Sequence, residues 1–444
     1  MKKNSFHLVS LGCAKNLVDS NVMAQLLEAE GLTYTDSPAQ AEYILVNTCG
    51  FIHDARQESQ DSLWELAQTK KSRQKLIVTG CLAERWREKL LNQHPGVDGL
   101  IGTRRLADII PLVRQLGVEG EVTRYQDYPV LQYEPDASYT AIQGGSSYLK
   151  IGDGCHRSCA FCAIPGIKGS LVSRPMIDII RDAQFLQEVG VKEINLIAQD
   201  VTAYGADRGE TNGLTKLLRK VLPEIPAVPW LRLLYTYPGM ISDDLIDLMA
   251  SSRQLLPYLD IPLQHTSPEV LKSMRRPSDI DWVRRTIKTM RERIPDLVVR
   301  TTFIVGFPTE TEENFQELYS FVEEIGFDHM GVFTYSPEVG TFAESMGDPV
   351  SQDTKQARRE ALMELQSRSA LEKKQDLVGK TFDILVEGVD QQQKVIIGRT
   401  YRDAPEIDGL VVATGLASIG EMIPVKIESA GPYDLFGLSV HPRK

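Results

Sequence analysis

The sequence predicts an α/β protein in three parts: an amino-terminal parallel α/β domain, a central partial (β/α)6 TIM-like barrel, and a small antiparallel β-barrel at the carboxyl terminus. Three observations predict it. Short apolar runs separated by helix-length stretches fill residues 1–125, six strand–helix units fill 140–376, and closely spaced short strands fill 377–444. One hydrophobic core stops growing at about 250–300 residues, so a chain of 444 residues is expected to divide, and the domains are drawn at those bounds.

In the first part, "FHLVSLGC", "YILVNTCG" and "LIVTGC" are apolar without strict polar alternation, as strands buried on both faces of a parallel sheet are. Stretches 17–29 and 54–70 read as the helices between them. The opening "MKKNSFHLVSLGC" superficially looks like a secretory signal. Its apolar run is short and carries His7 and Ser10, so it reads as the first strand. Cys13, Cys49 and Cys81 each close one of these strands, at intervals of 36 and 32 residues. Ligands of open parallel sheets gather beyond the strand carboxyl ends, so three distant thiols can converge there. Gly12, Gly50 and Gly80 beside them let backbone approach a bulky group. The plainer alternative is three small buried core residues.

Residues 120–145 lack periodicity and read as a linker. Beyond them, "SYLKIG", "EINLIAQD", "WLRLLYTYP", "YLDIPLQH", "LVVRTTFIVGFP" and "FDHMGVFTYSP" are the barrel strands, with helices at 175–190, 281–294 and 311–325. Sites on such folds lie at the strand carboxyl ends. The first strand is followed there by "DGCHRSCAFC", with Cys155, Cys159 and Cys162 in C-x3-C-x2-C spacing. Gln199 and Asp200 end the second strand, and Gln264 and His265 the fourth. Each is a candidate for facing a cofactor or substrate, or equally a strand-end group satisfied by nearby backbone. Gly306 and Pro308 shape the turn after the fifth strand. A charged helix at about 350–375 closes the barrel.

The last part reads as five short strands, "TFDILVEGV", "KVIIGRTY", "GLVVATG", "EMIPVKIESAG" and "YDLFGLSV", the pattern of a small β-barrel. From Thr381 onward it carries six basic residues against nine acidic ones, a balance of −3. A barrel that only docks substrate should be removable near Gln375 without loss of the central chemistry. The whole chain carries −11, which disfavours a broad nucleic-acid surface and suits a basic partner. No apolar run approaches the ~18 residues of a membrane span. Six cysteines in a chain without a secretory signal point to metal or redox chemistry, not a disulfide framework.

Three closely spaced cysteines leave one iron of a cubane cluster without a protein ligand. That iron can chelate the amino and carboxylate groups of S-adenosylmethionine, and one electron then cleaves a carbon–sulfur bond to give a carbon radical. A structural zinc site normally completes four ligands, and His156, adjacent to Cys155, fits that pattern poorly. Phe161, between the second and third thiols, can shield cluster or adenine, or belong to the core.

C-x3-C-x-F-C after a strand and a GDG turn resembles the radical S-adenosylmethionine superfamily. "LGCAKNLVDS", "NTCGFI" and "TGCLAER" resemble the amino-terminal domain of its methylthiotransferases, and the closing barrel resembles their TRAM domain. The resemblance implies two [4Fe-4S] clusters: Cys155, Cys159 and Cys162 hold the one that binds S-adenosylmethionine, and Cys13, Cys49 and Cys81 hold an auxiliary one that carries the inserted sulfur. Phe161, Gln199 and Gln264 are the expected cofactor contacts, and no protein side chain is assigned as catalytic. "GCHRSCAFCAIPGIKGSLVSRP", "AQDVTAYG", "DIPLQHTSPEVLKSMRRP" and "TTFIVGFPTETEENF" are most similar to the branch acting on an aspartate of the twelfth small-subunit ribosomal protein, though Thr309 stands where a glycine is frequent. The implied partners are that protein, free or in the ribosome, a reductase or flavodoxin-type electron donor and a sulfur donor, in the cytoplasm. Two alternatives stay open: a transfer RNA adenosine methylthiotransferase, and a non-catalytic iron–sulfur carrier.

Overall fold

The structure, a computed structural model, describes residues 3–117, 122–123 and 131–440. The domain bound drawn at residue 125, much of the expected linker and the last four residues lie outside these.

Six strands form the first sheet, in the order Thr33–Tyr34, Ser5–Ser10, Tyr43–Thr48, Lys75–Thr79, Gly99–Leu100 and Val122–Thr123. Every pairing is parallel. All six residues of Tyr43–Thr48 are buried, which is why that strand lacks polar alternation. Helix Ala14–Ala29 covers one face with Val18, Val22 and Leu27. Leu63, Leu82 and Leu90 cover the other.

The central unit strings six strands in chain order: Ser146–Lys150, Glu193–Ile197, Trp230–Leu233, Tyr258–Asp260, Val298–Val305 and His329–Thr334. Neighbours pair in parallel, and a bridge from Leu231 to Leu255 carries the wall from the third strand toward the fourth. The result is an open barrel around one large apolar core. Helix Gln352–Gln375 covers the last strand, with Arg359 Nε donating to Val332 O at 3.2 Å.

The linker reading fails for its described part. Thr140–Gln143 is a strand, antiparallel to Ser146–Lys150 across a two-residue Gly144–Gly145 turn with Gly144 at φ 58°. Such turns demand positive φ, which glycine supplies. Leu131, Ala137 and Tyr139 are buried. Asn21 and Gln25 of the first helix donate to Thr140 O and Ser138 O at 3.2 and 3.0 Å. The segment straps the first unit to the barrel.

The carboxyl-terminal strands close a five-stranded barrel. Four seams are antiparallel as expected, while Val411–Thr414 and Leu435–Ser439 run parallel. This barrel is no detachable module. Arg399 reaches Glu193 Oε2 at 2.6 Å, beside Arg232 at 2.9 Å from Glu193 Oε1. Asp408 accepts from Tyr258 Oη at 2.5 Å and pairs with Arg300 at 3.3 Å. Residues 399–408 therefore plug the end of the partial barrel opposite the cysteine loop, and removing them would strand buried charges there. Among the described residues no helix is long and apolar enough to cross a membrane.

Candidate active site

The cysteine loop is pinched at its base by Gly152–Asp153 pairing with Val172–Ser173. At Gly154, φ 74°, a Cβ would lie 2.1 Å from Ser170 O, so only glycine closes this turn. Cys155 N donates to Gly169 O at 3.0 Å and Cys162 N to Cys159 O at 3.1 Å. Ala160 ties the loop to the far walls through Met274 O and Ala343 N, at 2.9 and 2.8 Å. The three thiols are half-buried. Burial raises the Cys155 pKa and pushes Cys162 up to about 12.

Two guanidiniums flank these thiols. Arg276 Nη1 stands 3.8 Å from Cys159 Sγ, while the backbone N–H of Arg157 donates to Cys155 Sγ at 3.4 Å and its guanidinium pairs with Asp200 at 3.0 Å. Both guanidiniums lie on the Tyr237 ring, 4.2 and 4.1 Å from its centroid. Gln199 Nε2 donates to Asp153 Oδ1 at 2.5 Å. Among the described residues Gln199 Oε1 and Arg276 Nε are buried without a hydrogen-bond partner. Such orphaned groups at a site mark where a polar ligand belongs.

Phe161 is half-buried and packs against an apolar cluster with Ala160, Met274, Phe307 and Tyr335. Gln264 sits at φ 74°, its backbone bonded to Thr302 O and Ile304 N at 2.8 Å each. Asp200 pairs with Arg157 at 3.0 Å. His265 is fully buried, with Nδ1 accepting from Ser267 N at 3.0 Å and Nε2 3.3 Å from Glu310, so it shapes the turn after the fifth strand.

Cys13, Cys49 and Cys81 gather at the strand ends of the first sheet. Cys13 caps helix Ala14–Ala29, Cys49 directly follows its strand, and Cys81 stands in the first turn of helix Gly80–Trp86. A Cβ on Gly12 would come within 2.9 Å of Cys49 Sγ, and one on Gly50 within 2.7 Å of the Cys81 backbone. Burial pushes Cys81 up to about 12, and the neighbouring Cys13 and Cys49 push the same way. The three are thus within electrostatic reach of one another. Cys81 Sγ also points to Asn16 Oδ1 at 3.7 Å.

Helix Ile164–Lys168 separates the two thiol sets. Cys81 packs on its Ala163 and Ile167 flank. Lys168 Nζ reaches Asp19 Oδ2 at 2.8 Å, Thr103 Oγ1 at 2.6 Å and Asp153 Oδ2 at 3.3 Å. Lys150 bonds the same two carboxylates, Asp19 by a short contact and Asp153 at 2.8 Å. Burial alone would raise the Asp153 pKa, but Lys150 and Lys168 hold it well below the usual carboxylate range. On the other side Arg56 and Arg85 clasp Glu338, Arg85 at 3.0 Å. Sequence reasoning missed this charged junction, though Asp19 lies in "LGCAKNLVDS" and Asp153 opens the cysteine loop. Partners this distant in sequence leave no local signal. Lys15, from the same amino-terminal motif, reaches the barrel, its ammonium 3.3 Å from the Tyr235 ring centroid.

All six cysteines are free. Among the described residues no three His, Cys, Asp or Glu side chains cluster tightly enough for a single metal ion. A cubane asks for a wider spread, since each thiolate binds a different iron. Two all-thiol sets of three, one beside orphaned polar groups, fit two such clusters.

Residues 5–102 match the family described as "Uncharacterized protein family UPF0004". Residues 149–322 match the radical SAM superfamily and 378–440 the TRAM domain. Two solved structures share the fold. One is the radical S-adenosylmethionine methyltransferase TsrM from Kitasatospora setae (TM-score 0.56, 14% identity, 74% of this chain and 73% of that one). The other is the cobalamin-dependent S-adenosylmethionine radical enzyme OxsB (TM-score 0.50, 11% identity, 81% and 56%). The matched domains define a radical S-adenosylmethionine protein that carries a TRAM domain. The "Ribosomal protein uS12 methylthiotransferase RimO" of Aquifex aeolicus is 43% identical over 97% of this chain and 96% of its own. That of Syntrophotalea carbinolica is 42% identical over 98% and 97%. The chain belongs to the RimO family.

Proposed function

We propose that this protein replaces a β-carbon hydrogen of an aspartate in the twelfth small-subunit ribosomal protein with a methylthio group. The observation that carries this reading is the full-length kinship with uS12 methylthiotransferases, joined to two thiol sets meeting across one short helix. On this reading residues 1–125 bear the sulfur-supplying site, 140–376 the radical-generating core and 377–444 a recognition barrel. When bound, the two [4Fe-4S] clusters with S-adenosylmethionine supply a carbon radical able to break an unactivated C–H bond, and the sulfur to replace it.

The chain's own residues hold and insulate that chemistry. Cys155, Cys159 and Cys162 would each ligate one iron, leaving the fourth for S-adenosylmethionine. Cys13, Cys49 and Cys81 would do the same for the auxiliary cluster. Arg157 and Arg276 offset negative charge on the first thiol set. Asp153 fixes one end of the Gln199 amide, leaving its oxygen for the cofactor, and Phe161 closes the site on its apolar side. An electron donor of reductase or flavodoxin type and a sulfur donor complete the system, which belongs in the cytoplasm where ribosomal protein is available.

The solvent-facing charge of the last barrel supports a protein substrate over transfer RNA. Arg399 and Arg402 are turned toward Glu193 and Asp328. Among the described residues of the barrel that leaves Lys380, Lys394 and Lys426 exposed against Asp383, Asp390, Glu406, Glu421 and Glu428, a poor grip for phosphates and a good one for a basic protein. The test is mass spectrometry of a strain lacking the gene. The methylthio increment should vanish from the ribosomal protein, and its loss from transfer RNA instead would overturn the reading.

A further inference from the structure

Three lysines lie between the two thiol sets, and two of them are fully committed. Lys150 and Lys168 each contact both Asp19 and Asp153 and are almost completely buried. Lys15 differs. Its ammonium rests on the face of Tyr235, 3.3 Å from the centroid, and among the described residues no carboxylate stands within ion-pair distance of it.

Its two supports come from opposite walls. Lys15 belongs to the first turn of the helix that Cys13 caps, so it is fixed beside one thiol set. Tyr235 follows the third barrel strand, near the mouth that carries the other. Its backbone is left-handed, φ 64°, an outlier for an aromatic residue. That conformation is held by Tyr235 N donating to Asp260 Oδ2 at 2.8 Å and by Val201 N donating to Tyr235 O at 3.1 Å. Strain of this kind persists where surrounding structure enforces it, commonly at functional sites. The outcome is an ammonium held over an aromatic face beside Cys13, with no carboxylate of the described residues within ion-pair distance.

An aspartate side chain is ionised near neutral pH, and taking it into a water-poor cleft is costly unless a cation meets it. We infer that Lys15 is the carboxylate anchor for the substrate aspartate, its ammonium pairing with the side-chain carboxylate and so placing the β-carbon between the two thiol sets. The inference rests on the proposed function and adds the group that selects aspartate. Lys150 and Lys168 cannot take this role without abandoning Asp19 and Asp153. The Tyr235 face keeps the Lys15 ammonium in position before substrate arrives and leaves its hydrogens to donate.

The test uses cluster-loaded full-length protein, wild type, Lys15→Met and Lys15→Arg, with the twelfth small-subunit ribosomal protein carrying aspartate or asparagine at the modified position. Lys15→Met should raise KM for the aspartate substrate about tenfold or more, the scale of a lost charge-assisted hydrogen bond. Binding measured without turnover should weaken by a similar factor for aspartate and stay unchanged for asparagine. Iron content and S-adenosylmethionine cleavage without substrate should match wild type, and Lys15→Arg should recover part of the aspartate preference. KM and affinity within twofold of wild type in Lys15→Met would overturn the inference. Should Lys15→Met fail to hold iron, Lys15→Arg decides: retained preference for aspartate supports the anchor, and lost preference with full iron overturns it. Wild-type protein that transfers nothing to the ribosomal protein would instead refute the function on which the anchor rests.

Discussion

At Gly12 the backbone stands at φ 89°, and a Cβ there would lie 2.6 Å from Cys49 Cβ. Both facts exclude any other residue, because the left-handed region is costly for a side chain and the obstruction is a proposed cluster ligand. Gly12→Ala should therefore disturb the auxiliary set alone. Anaerobically reconstituted protein should fall from about eight irons to about four, one cubane's worth, while still cleaving S-adenosylmethionine. Replacing Cys155, Cys159 and Cys162 with alanine should halve the iron too but abolish cleavage. Retention of full iron by Gly12→Ala would show that the close approach to Cys49 is not needed for assembly. These glycines were legible in the sequence because each sits beside a cysteine. Lys15 was not, since its meaning depends on Tyr235, 220 positions away by their numbering.

Helices and strands emerged from the sequence where their signals are local. Short apolar runs located the six barrel strands, and a run of charged residues the helix Gln352–Gln375, to within about five residues. Thr140–Gln143 escaped because a four-residue edge strand has little periodicity of its own, although Gly144–Gly145 was a hairpin signal available to be read. The junction between helix Ala14–Ala29 and helix Ile164–Lys168 escaped for a different reason. Asp19 pairs with Lys150 and Lys168, more than a hundred residues away, and nothing local announces such a partner. Asp19→Asn would leave two buried ammonium groups sharing a single carboxylate. Breaking a buried pair in this way costs about 3–5 kcal/mol, so the denaturant midpoint should drop clearly. An unchanged midpoint would mean that water reaches the junction.

Across the whole molecule the closing barrel serves two ends, and they can be separated. Its inner loop completes the partial barrel through Glu193, whose charge burial opposes but Arg399 and Arg232 favour, holding its pKa at about 2 against an ordinary 4.5. A depressed carboxylate stabilises the fold fully above its unfolded pKa and loses that contribution as pH falls. Stability should therefore decline between about pH 4.5 and 2, and Glu193→Gln should flatten that decline in denaturation curves. Truncation near Gln375, which sequence alone suggested would spare the radical chemistry, should instead lower the melting temperature of what remains and reduce S-adenosylmethionine cleavage with it. The outer face is separate. Asp383 and Glu428 are exposed, and neither contributes to the plug, so reversing both to lysine should leave folding, iron content and S-adenosylmethionine cleavage intact. Association with the basic ribosomal protein should weaken several-fold at low ionic strength, and its salt dependence should flatten, because fewer attractive charges remain for salt to screen. Binding by the double reversal that equals wild type across the salt range would place recognition elsewhere on the molecule, with the barrel retained only for the charges it buries.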